Sequence, residues 1–355
     1  MKNRIINIAL VFASLLLTLF VLETGARIYL SKFEFKNFFV EYRTLLHSTY
    51  PAKYDAELGW IPEEGDHPEN LWKTRITILE DGIRSNGRNE HTVLDNNRPI
   101  LAIGDSFTFG DQVSNNETWP AQLEKMSGRR VINGGVFGYG IDQAYLRMRA
   151  LASKYKPSVI IFSFIPNDIS RAEHSELTGV PKPYFDLSET GDLVLRNEHI
   201  SYSPSFPIDK IGKIIGYSLF AHKILLKLFP EYWLHRPRGS KKVHSNGEKV
   251  ADRIFSELGQ FSTRNKINIF ILVEYSKDQF EKDIVAVDHV ISYMDHEHLN
   301  LVDLRYSLAE LKSHDRKKYE GLFHGHMTKE GNLYVASILY DLISKKNEIP
   351  NKAFQ

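Results

Sequence analysis

Ile100-Leu-Ala-Ile-Gly-Asp-Ser106 is the stretch that decides the fold. Its four apolar residues do not alternate with polar ones, which is typical of a strand that is buried on both faces of a sheet. The run stops at Gly104-Asp-Ser106, where the pattern predicts the carboxyl end of the strand. In an open parallel sheet, ligands bind beyond the carboxyl ends of the strands. The stretch therefore predicts an α/β fold with its chemistry at that edge.

Four further apolar runs of strand length follow, at residues 131–132, 158–164, 267–273 and, more weakly, 299–304. Helical patterns lie between and after them, at residues 118–126, 141–155, 250–261, 278–294 and 327–343. Thr118 is a predicted N-cap, with Pro120 in the first turn. Strands that alternate with helices predict a parallel sheet covered by helices on both faces.

The composition excludes several classes of protein. The chain has 355 residues, of which 42% are hydrophobic and 25% are charged, so disorder is excluded as its main state. Its 45 basic and 44 acidic residues give a net charge of +1, without the basic excess of a nucleic-acid-binding protein. The absence of cysteine excludes disulfide scaffolds, cysteine-ligated zinc, iron–sulfur clusters and thiol catalysis. We expect no nucleic-acid partner.

An apolar run without charges occupies residues 5–22, preceded by Lys2 and Arg4. As a helix it would span about 27 Å, close to the roughly 30 Å hydrocarbon core of a bilayer. The run exceeds the apolar region of a secretory signal peptide, which is about 7–15 residues long. This favours an uncleaved transmembrane signal anchor over residues 1–29. The alternatives are a signal peptide cleaved after Thr24-Gly-Ala26 and a buried soluble helix.

The rest of the chain has no second convincing membrane span. We therefore predict a cytoplasmic N-terminus and an exported remainder, in a bacterial inner membrane with the catalytic part facing the periplasm. Residues 30–98 are predicted to form a polar arm that packs on the catalytic domain. Residues 99–348 are predicted to form that domain, with an insertion at about 171–248.

Within the insertion, residues 208–229 have the pattern of an amphipathic helix. A cover helix packed on the domain is the main interpretation. The alternatives are a surface helix that touches the membrane and a lid over the site. The basic stretch Arg236-Pro-Arg-Gly-Ser-Lys-Lys242 is predicted to be a solvated loop.

Three predicted strands end in residues suited to acyl transfer. Ser106 stands between a strand and a helix, where its hydroxyl projects into the crevice and its N–H lies near a helix N-terminus. The second strand leads into Asn133-Gly-Gly-Val-Phe-Gly-Tyr-Gly140, whose glycines expose backbone N–H groups. The third leads to Asn167, whose amide is a hydrogen-bond donor. Acyl transfer needs such fixed donors, because negative charge develops on the carbonyl oxygen.

A nucleophilic serine also needs a base. Of the 14 histidines, His326 is the best placed, after the fifth predicted strand and just before the last helix. Each residue alone has a structural explanation: Ser106 as a helix cap, Gly138 as a turn glycine, Asn167 as a loop residue and His326 as a helix-start residue. Their order at the ends of successive strands favours a catalytic site.

On these motifs the chain resembles the SGNH, or GDSL-type, hydrolase superfamily over about residues 99–348. The resemblance implies that Ser106 is the nucleophile and an oxyanion donor, that Gly138 and Asn167 are further oxyanion donors, and that His326 is the general base. It implies a three-layer α/β/α sandwich of flavodoxin type with a five-stranded parallel sheet, here preceded by one transmembrane helix. It implies no metal and no organic cofactor.

Two further segments, Glu57-Leu-Gly-Trp60 and Glu117-Thr-Trp-Pro120, are similar to membrane-anchored members that are linked to bacterial envelope polysaccharides. We therefore predict a serine esterase that hydrolyses an acyl or acetyl ester on a cell-envelope glycan or lipid through an acyl-serine intermediate. One alternative is an O-acyltransferase to an envelope polysaccharide with the same serine and histidine. The other is a non-catalytic envelope protein that retains the fold. The sequence does not determine the substrate or the oligomeric state.

The chain departs from the family's pattern beside the base. An aspartate is expected two or three residues before the catalytic histidine, and those positions hold His324 and Phe323. Three interpretations follow: a Ser–His dyad oriented by a backbone carbonyl, a carboxylate supplied from elsewhere, such as Asp303 or Asp315, or a site that is impaired or tuned for another acyl reaction.

Overall fold

The computed structural model describes residues 2–33, 35, 51–68, 72–87, 98–177, 180–200, 208–229, 233, 242–282, 288–294 and 299–345. The chain forms two compact units. The first unit contains the described residues of 1–50, 178–180 and 202–239. The second unit contains the described residues of 51–177, 181–201 and 240–355. The predicted insertion is thus divided between the two units, which the sequence pattern did not indicate.

The strands, in chain order, are β1 (Ala52–Asp55), β2 (Gly59–Pro62), β3 (Gly65–Asp66), β4 (Thr77–Leu79), β5 (Ile83–Arg84), β6 (Ile100–Ile103), β7 (Val131–Asn133), β8 (Val159–Phe164), β9 (Glu176–Leu177), β10 (Val180–Pro181), β11 (Tyr184–Leu187), β12 (Leu193–Arg196), β13 (Asn268–Val273), β14 (Asn300–Asp303), β15 (Phe323–His324) and β16 (His326–Met327). The α-helices are α1 (Lys2–Tyr29), α2 (Ser106–Phe109), α3 (Trp119–Ser127), α4 (Ile141–Tyr155), α5 (Pro166–Arg171), α6 (Ile208–Ile215), α7 (Leu219–Leu228), α8 (Gly247–Asn265), α9 (Lys277–Glu281), α10 (Asp288–Met294), α11 (Leu304–His314), α12 (Arg316–Gly321) and α13 (Lys329–Lys345).

The second unit is an α/β fold built on an eight-stranded sheet with the order β14-β13-β8-β6-β7-β5-β4-β3. The strands from β14 to β7 are parallel to one another, and they are the five that the apolar runs predict. β5, β4 and β3 continue the sheet in antiparallel fashion. The expectation of a five-stranded parallel sheet is therefore not confirmed, because the sheet is mixed and larger. β3, β4 and β5 have only two or three residues each and lie among turn-forming residues, so their pattern is too short for a prediction from sequence.

Both faces of the sheet are covered. Every residue of β6 and of β8 is buried, which requires packing on both sides of the pleat. Helix α3 packs with α13, and α8 packs with α4, α5 and α10. The side chain of Thr118 accepts a hydrogen bond from Ala121 N, so the predicted N-cap of α3 is confirmed. The helix predicted over residues 278–294 consists of α9 and α10, and residues 283–287 lie outside the described residues.

The strand order fixes where a ligand is expected. The chain passes from β6 to β7 on one side and then to β8 on the other side, so the order reverses between β6 and β8. In doubly wound sheets of this kind, the crevice at the reversal point, beyond the carboxyl ends, is the ligand site. Ser106 lies three residues after the end of β6, and Asn167 lies three residues after the end of β8.

In the first unit, α1 contains residues Ile6–Tyr29, which are long and apolar enough to cross a membrane. The apolar window of this helix is entirely exposed, which contradicts the alternative of a buried soluble helix. An anchor and a signal sequence both fit its length and composition.

The amphipathic helix predicted over residues 208–229 is two helices, α6 and α7. Ser218 caps α7 by accepting from Ala221 N. The inner face of α7 packs on Trp233 through Leu225 and Leu226. Residues 236–241 of the predicted basic loop lie outside the described residues.

Candidate active site

The candidate nucleophile begins a helix at the carboxyl end of β6. Ser106 is the first residue of α2, and Asp105 caps that helix by accepting a hydrogen bond from Phe107 N at 2.9 Å. The Ser106 hydroxyl lies 3.2 Å from Asp105 Oδ2, and the residue is buried. The short turn from strand to helix thus places the hydroxyl at the edge where the strand order reverses.

The structure brings His326 to this serine. The hairpin of β15 and β16 turns at Gly325 and places His326 Nε2 at 2.9 Å from Ser106 Oγ. Gln112 holds the hairpin, because its Oε1 accepts from His326 N at 3.3 Å. The ring of Phe107 lies 5.1 Å from the imidazole, centroid to centroid. A serine and a base in hydrogen-bond contact are the minimum requirement for nucleophilic catalysis.

The loop after β7 supplies backbone N–H groups beside the serine. A Cβ atom at Gly135 would overlap the backbone nitrogen of Phe109, so only glycine allows the loop to approach α2 this closely. Gly138 has a φ of +74°, the left-handed conformation that favours glycine. Among the described residues, no acceptor is found for the N–H groups of Ser106 and Gly138. Both groups are therefore free to donate to a ligand.

Trp60 is hydrogen-bonded to the loop after β7. The Trp60 indole donates to Phe137 O at 3.0 Å, and the Tyr139 hydroxyl donates to Trp60 O at 2.6 Å. Trp60 is fully buried. The sequence singled out residues 57–60 only by resemblance. In the structure, Trp60 bonds to Phe137 and Tyr139, the two neighbours of Gly138.

Asn167 lies in the first turn of α5 and is exposed. Its side-chain amide makes no hydrogen bond within the described part of the chain; the Ser170 hydroxyl donates to the backbone carbonyl oxygen of Asn167. The amide is therefore available to a ligand at the end of β8.

Arg171, one turn further along α5, links the three strand ends. One nitrogen, NH1, donates to Asp105 Oδ2 at 3.1 Å, to Tyr139 O at 3.0 Å and to Asp168 Oδ1 at 2.5 Å. These partners are the immediate neighbours of Ser106, Gly138 and Asn167. Sequence reasoning missed Arg171, although its position four residues after Asn167 on a helix was a usable signal.

Arg171 and its three acceptors, here named the Arg171 clamp, include two buried carboxyl groups. Burial raises the pKa of Asp168 well above its ordinary value, and the Asp105 carboxylate raises it further, against the effect of Arg171. Burial by itself would lower the pKa of Arg171, but the carboxylates of Asp168 and Asp105 outweigh it and raise that pKa. Arg171 is therefore a fixed positive charge within the site.

The pKa of His326 is lowered, first by burial and then by the charge of Arg171, while Asp105 opposes the shift. A lowered pKa keeps the imidazole neutral at neutral pH, as a general base requires. The nearest carboxyl group is that of Asp111, whose Oδ2 lies 3.8 Å from His326 Nε2. This is the nitrogen that already faces Ser106.

Asp111 is buried, and its Oδ1 has no hydrogen-bond partner among the described residues. Burial raises its pKa well above the ordinary value, although Arg84 lowers it, which favours the protonated form. Arg84 donates to the carbonyl oxygens of Phe109, Gly110 and Val113 at 3.1, 2.8 and 2.6 Å. Burial lowers the pKa of Arg84 to about 10. No sequence pattern pointed to Asp111 or Arg84.

Neither carboxylate proposed from the sequence orients the base. Asp303 caps α11 and accepts from Tyr275 and Arg305, and Asp315 caps α12 by accepting from Lys318 N. The expectation that one of them replaces the missing aspartate is therefore wrong. Within the described residues, His326 Nδ1 has no hydrogen-bond partner. The backbone carbonyl expected for a dyad is likewise not found there.

No protein-family model matches the chain, and no curated protein matches it either. Its structure is similar to those of GDSL-type and other lipolytic enzymes. A protein from Desulfitobacterium hafniense DCB-2, assigned to the lipolytic G-D-S-L family, is 16% identical with a TM-score of 0.37, over 69% of this chain and 99% of that one. The esterase EstA from Pseudoalteromonas sp. is 12% identical with a TM-score of 0.38, over 71% and 100% of the chains. The lipase/acylhydrolase from Enterococcus faecalis is 11% identical with a TM-score of 0.40, over 72% and 100%. At these identities and scores, what this chain does has to be derived from its own residues.

Proposed function

We propose that the protein is a serine ester hydrolase. The observation that carries the proposal is the 2.9 Å contact between Ser106 Oγ and His326 Nε2 at the point where the strand order reverses. Neutral imidazole beside a serine hydroxyl, with unpaired N–H groups next to it, meets the needs of acyl transfer through a covalent intermediate.

The mechanism begins when Ser106 Oγ attacks the ester carbonyl and His326 Nε2 takes the hydroxyl proton. The oxyanion that forms accepts hydrogen bonds from the N–H groups of Ser106 and Gly138 and from the side chain of Asn167. When the tetrahedral intermediate collapses, the imidazolium gives its proton to the departing alkoxide. Water, deprotonated by the same imidazole, then attacks the acyl-serine, and the acid is released as the imidazolium returns the proton to Ser106 Oγ.

The base works as a member of a dyad in this proposal. The Arg171 clamp fixes the donors, and Gln112 and Phe107 fix the imidazole. The N-terminal helix supports an exported enzyme that stays anchored to the membrane. The substrate is then an acyl or acetyl ester on an envelope glycan or lipid, as the resemblance implies.

A serine-directed fluorophosphonate tests the proposal on the full-length protein. We expect covalent labelling and hydrolysis of small acyl esters, both lost in Ser106→Ala and strongly slowed in His326→Gln. The exposed pair Ser313 and His314 provides matched controls, since Ser313→Ala and His314→Gln keep both activities. No labelling of the folded wild-type protein would favour the non-catalytic envelope protein. Acyl-glycan instead of free acid in the presence of a glycan acceptor would identify an acyltransferase.

A further inference from the structure

A carboxylate of α1 caps a helix of the insertion. Leu219 N donates to Glu23 Oε1 at 3.0 Å, and Phe220 N donates to Glu23 Oε2 at 3.0 Å. The Ser218 hydroxyl donates to the same Oε2 at 2.7 Å. Hydrogen bonds from the first amides of a helix to a charged carboxylate are among the stronger polar contacts in proteins. They fix the start of α7 to the end of α1.

A second set of contacts secures the same junction. Arg27 Nε donates to Glu23 Oε1 at 2.6 Å, and Arg27 NH2 donates to Tyr217 O at 3.0 Å. The ring of Phe35 stacks on that of Tyr217, with 5.2 Å between centroids. The charge of Glu23 is therefore compensated from within α1, which suits a carboxylate near a membrane boundary.

The position of Glu23 along α1 locates this junction. Glu23 directly follows the uncharged apolar run of residues 5–22. If that run crosses the hydrocarbon core, Glu23 and Arg27 lie at the level of the lipid headgroups on the side where α1 ends. The start of α7 is then held at the same level.

The two insertion helices carry exposed apolar side chains. Ile211, Ile214 and Ile215 on α6 follow the spacing of one helix face, and Ile214 is 76% exposed. On α7 and just after it, Leu228 and Phe229 are 59% and 58% exposed. Leu225 and Leu226 of α7 pack on Trp233 and are partly buried. Amphipathic helices with an exposed apolar face of this kind lie in the membrane interface.

We propose that residues 208–229, here named the collar, lie in the surface of the membrane at the end of α1, with Glu23 as the connection. The exposed apolar side chains of α6 and α7 lie at the boundary between acyl chains and headgroups, and Lys223 and Lys227 of the collar suit anionic headgroups. This selects the membrane alternative for the insertion over a cover helix or a lid. It also requires that α1 is retained, because cleavage after Ala26 removes Glu23.

The inference rests on the anchoring proposed above and not on the ester chemistry. The chain has no cysteine, so single cysteines at Ile214 and Leu228 accept an environment-sensitive fluorophore without background labelling. The full-length protein is placed in vesicles of phosphatidylcholine with a minor fraction of phosphatidylglycerol. Leu16→Cys serves as the control for the bilayer interior, and Glu189→Cys serves as the control for water.

We expect fluorophores at positions 214 and 228 to be shielded from iodide and to be quenched by nitroxides at the headgroup level. The fluorophore at position 16 should be quenched by nitroxides at the bilayer centre, and the one at 189 by iodide. Quenching of 214 and 228 by iodide would overturn the proposal. Shielding from iodide without quenching by any lipid nitroxide would also overturn it, because a protein surface then covers the collar.

Glu23→Ala tests the connection, with Glu189→Ala as a matched control. We expect faster hydrogen exchange at the amides of Leu219 and Phe220 and loss of iodide shielding at position 214. Glu23→Gln should be intermediate, since its amide oxygen accepts without charge. Full shielding in Glu23→Ala would overturn the role of Glu23, and an intact mass that lacks residues 1–26 would overturn the retained anchor. Fluorophosphonate labelling on the same samples reports separately on the ester chemistry, which these changes leave intact.

Discussion

Among the residues that the structure describes, two serine–histidine side-chain pairs have almost the same length. Ser106 Oγ lies 2.9 Å from His326 Nε2, and Ser313 Oγ lies 3.0 Å from His314 Nδ1. The first pair joins segments that are 220 residues apart in the sequence, and the second joins neighbours. Only the first lies at the carboxyl ends of the parallel strands.

The difference lies in what surrounds each hydroxyl. Ser106 begins α2, beside N–H groups that lack an acceptor, and it is buried. Ser313 and His314 are exposed in the last turn of α11, and both face the carbonyl oxygen of Glu310, at 2.8 and 2.9 Å. Carbonyl oxygens at a helix C-terminus repel an oxyanion, whereas free N–H groups attract it. Proximity of serine and histidine therefore does not make a site; the backbone polarity around them does.

Removing the base is expected to have the largest effect on this comparison. His326→Gln should lower kcat/KM for a small ester by roughly 10³-fold, within the 10²–10⁴ range of general-base catalysis. His314→Gln should leave kcat/KM unchanged. Initial rates of ester hydrolysis with both variants measure this, and circular dichroism confirms that they are folded. Equal losses in the two variants would show that fold stability, not proton transfer, sets the rate.

Removing the clamp should have the next largest effect. Without Arg171, the loops that carry Ser106 and Gly138 lose their shared partner, and Arg171→Met should lower kcat by about 10²-fold, the cost of a displacement near 1 Å. Arg171→Lys should recover part of the rate, since an ammonium keeps the charge but not the fork geometry.

The pH profile separates positioning from general destabilisation. Because the base acts as neutral imidazole, kcat/KM rises with pH through the pKa of His326, which is held below its ordinary value by burial and by Arg171. Loss of the positive charge removes part of that lowering, so the acid limb of Arg171→Met should move to higher pH. Arg171→Lys should keep the wild-type limb. If the acid limb of the kcat/KM profile of Arg171→Met stays at the wild-type pH, the role of Arg171 is only structural.

The sequence was sufficient for those parts of the fold and site that are written in local patterns. Strand β6 is an uninterrupted apolar run and β8 is one apart from Ser163, and helix α4 has the bounds that its periodicity predicts. Ser106 and His326 could be selected because both follow predicted strands, and the structure places them in contact.

The rest depended on contacts between distant segments. Glu23 caps a helix almost two hundred residues away, and Arg171 bonds to partners in three different loops. Nothing in the local sequence of Glu23 indicates its distant partner, and the one local signal for Arg171 is its position four residues after Asn167. Asp303 and Asp315 were plausible partners for the base by composition alone, but each immediately precedes a helix and serves as its N-cap. The preference of helix N-caps for aspartate could have been applied to the sequence, and it argues against a catalytic role for these two residues.

A substitution at His324 can supply the carboxylate that is missing beside His326. The hairpin register places His324 opposite His326, whereas Phe323 pairs with Met327 and packs on Tyr319. His324→Asp should therefore raise kcat/KM about tenfold, well short of the ~10⁴ that a fully oriented aspartate provides in a triad. The acid limb should move to higher pH, because a neighbouring carboxylate favours the imidazolium.

Phe323→Asp serves as the control for His324→Asp. It introduces the same charge on the other side of the hairpin, at the cost of the aromatic contact with Tyr319. We expect lower thermal stability without a gain in rate. A gain with Phe323→Asp and none with His324→Asp would show that the hairpin register, and with it the orientation of the base, differs from that described.

The smallest effect is expected from the nearest carboxyl group. Asp111 lies 3.8 Å from the nitrogen of His326 that faces the serine, and burial raises its pKa well above the ordinary value. A raised pKa disfavours the carboxylate form, and only a carboxylate stabilises an imidazolium by its charge. Asp111→Asn keeps the shape of the protonated group, so kcat/KM should change by less than about threefold, under 1 kcal/mol in transition-state binding.

If Asp111 instead ionised and acted as the triad carboxylate, the same substitution would cost on the order of 10⁴ in kcat. The two outcomes are far apart, so steady-state rates are sufficient to separate them. A small loss leaves Ser106 and His326 as a dyad supported by Arg171 and Gln112. The polarity of the backbone around Ser106 then distinguishes this pair from Ser313 and His314, since neither histidine has a charged partner.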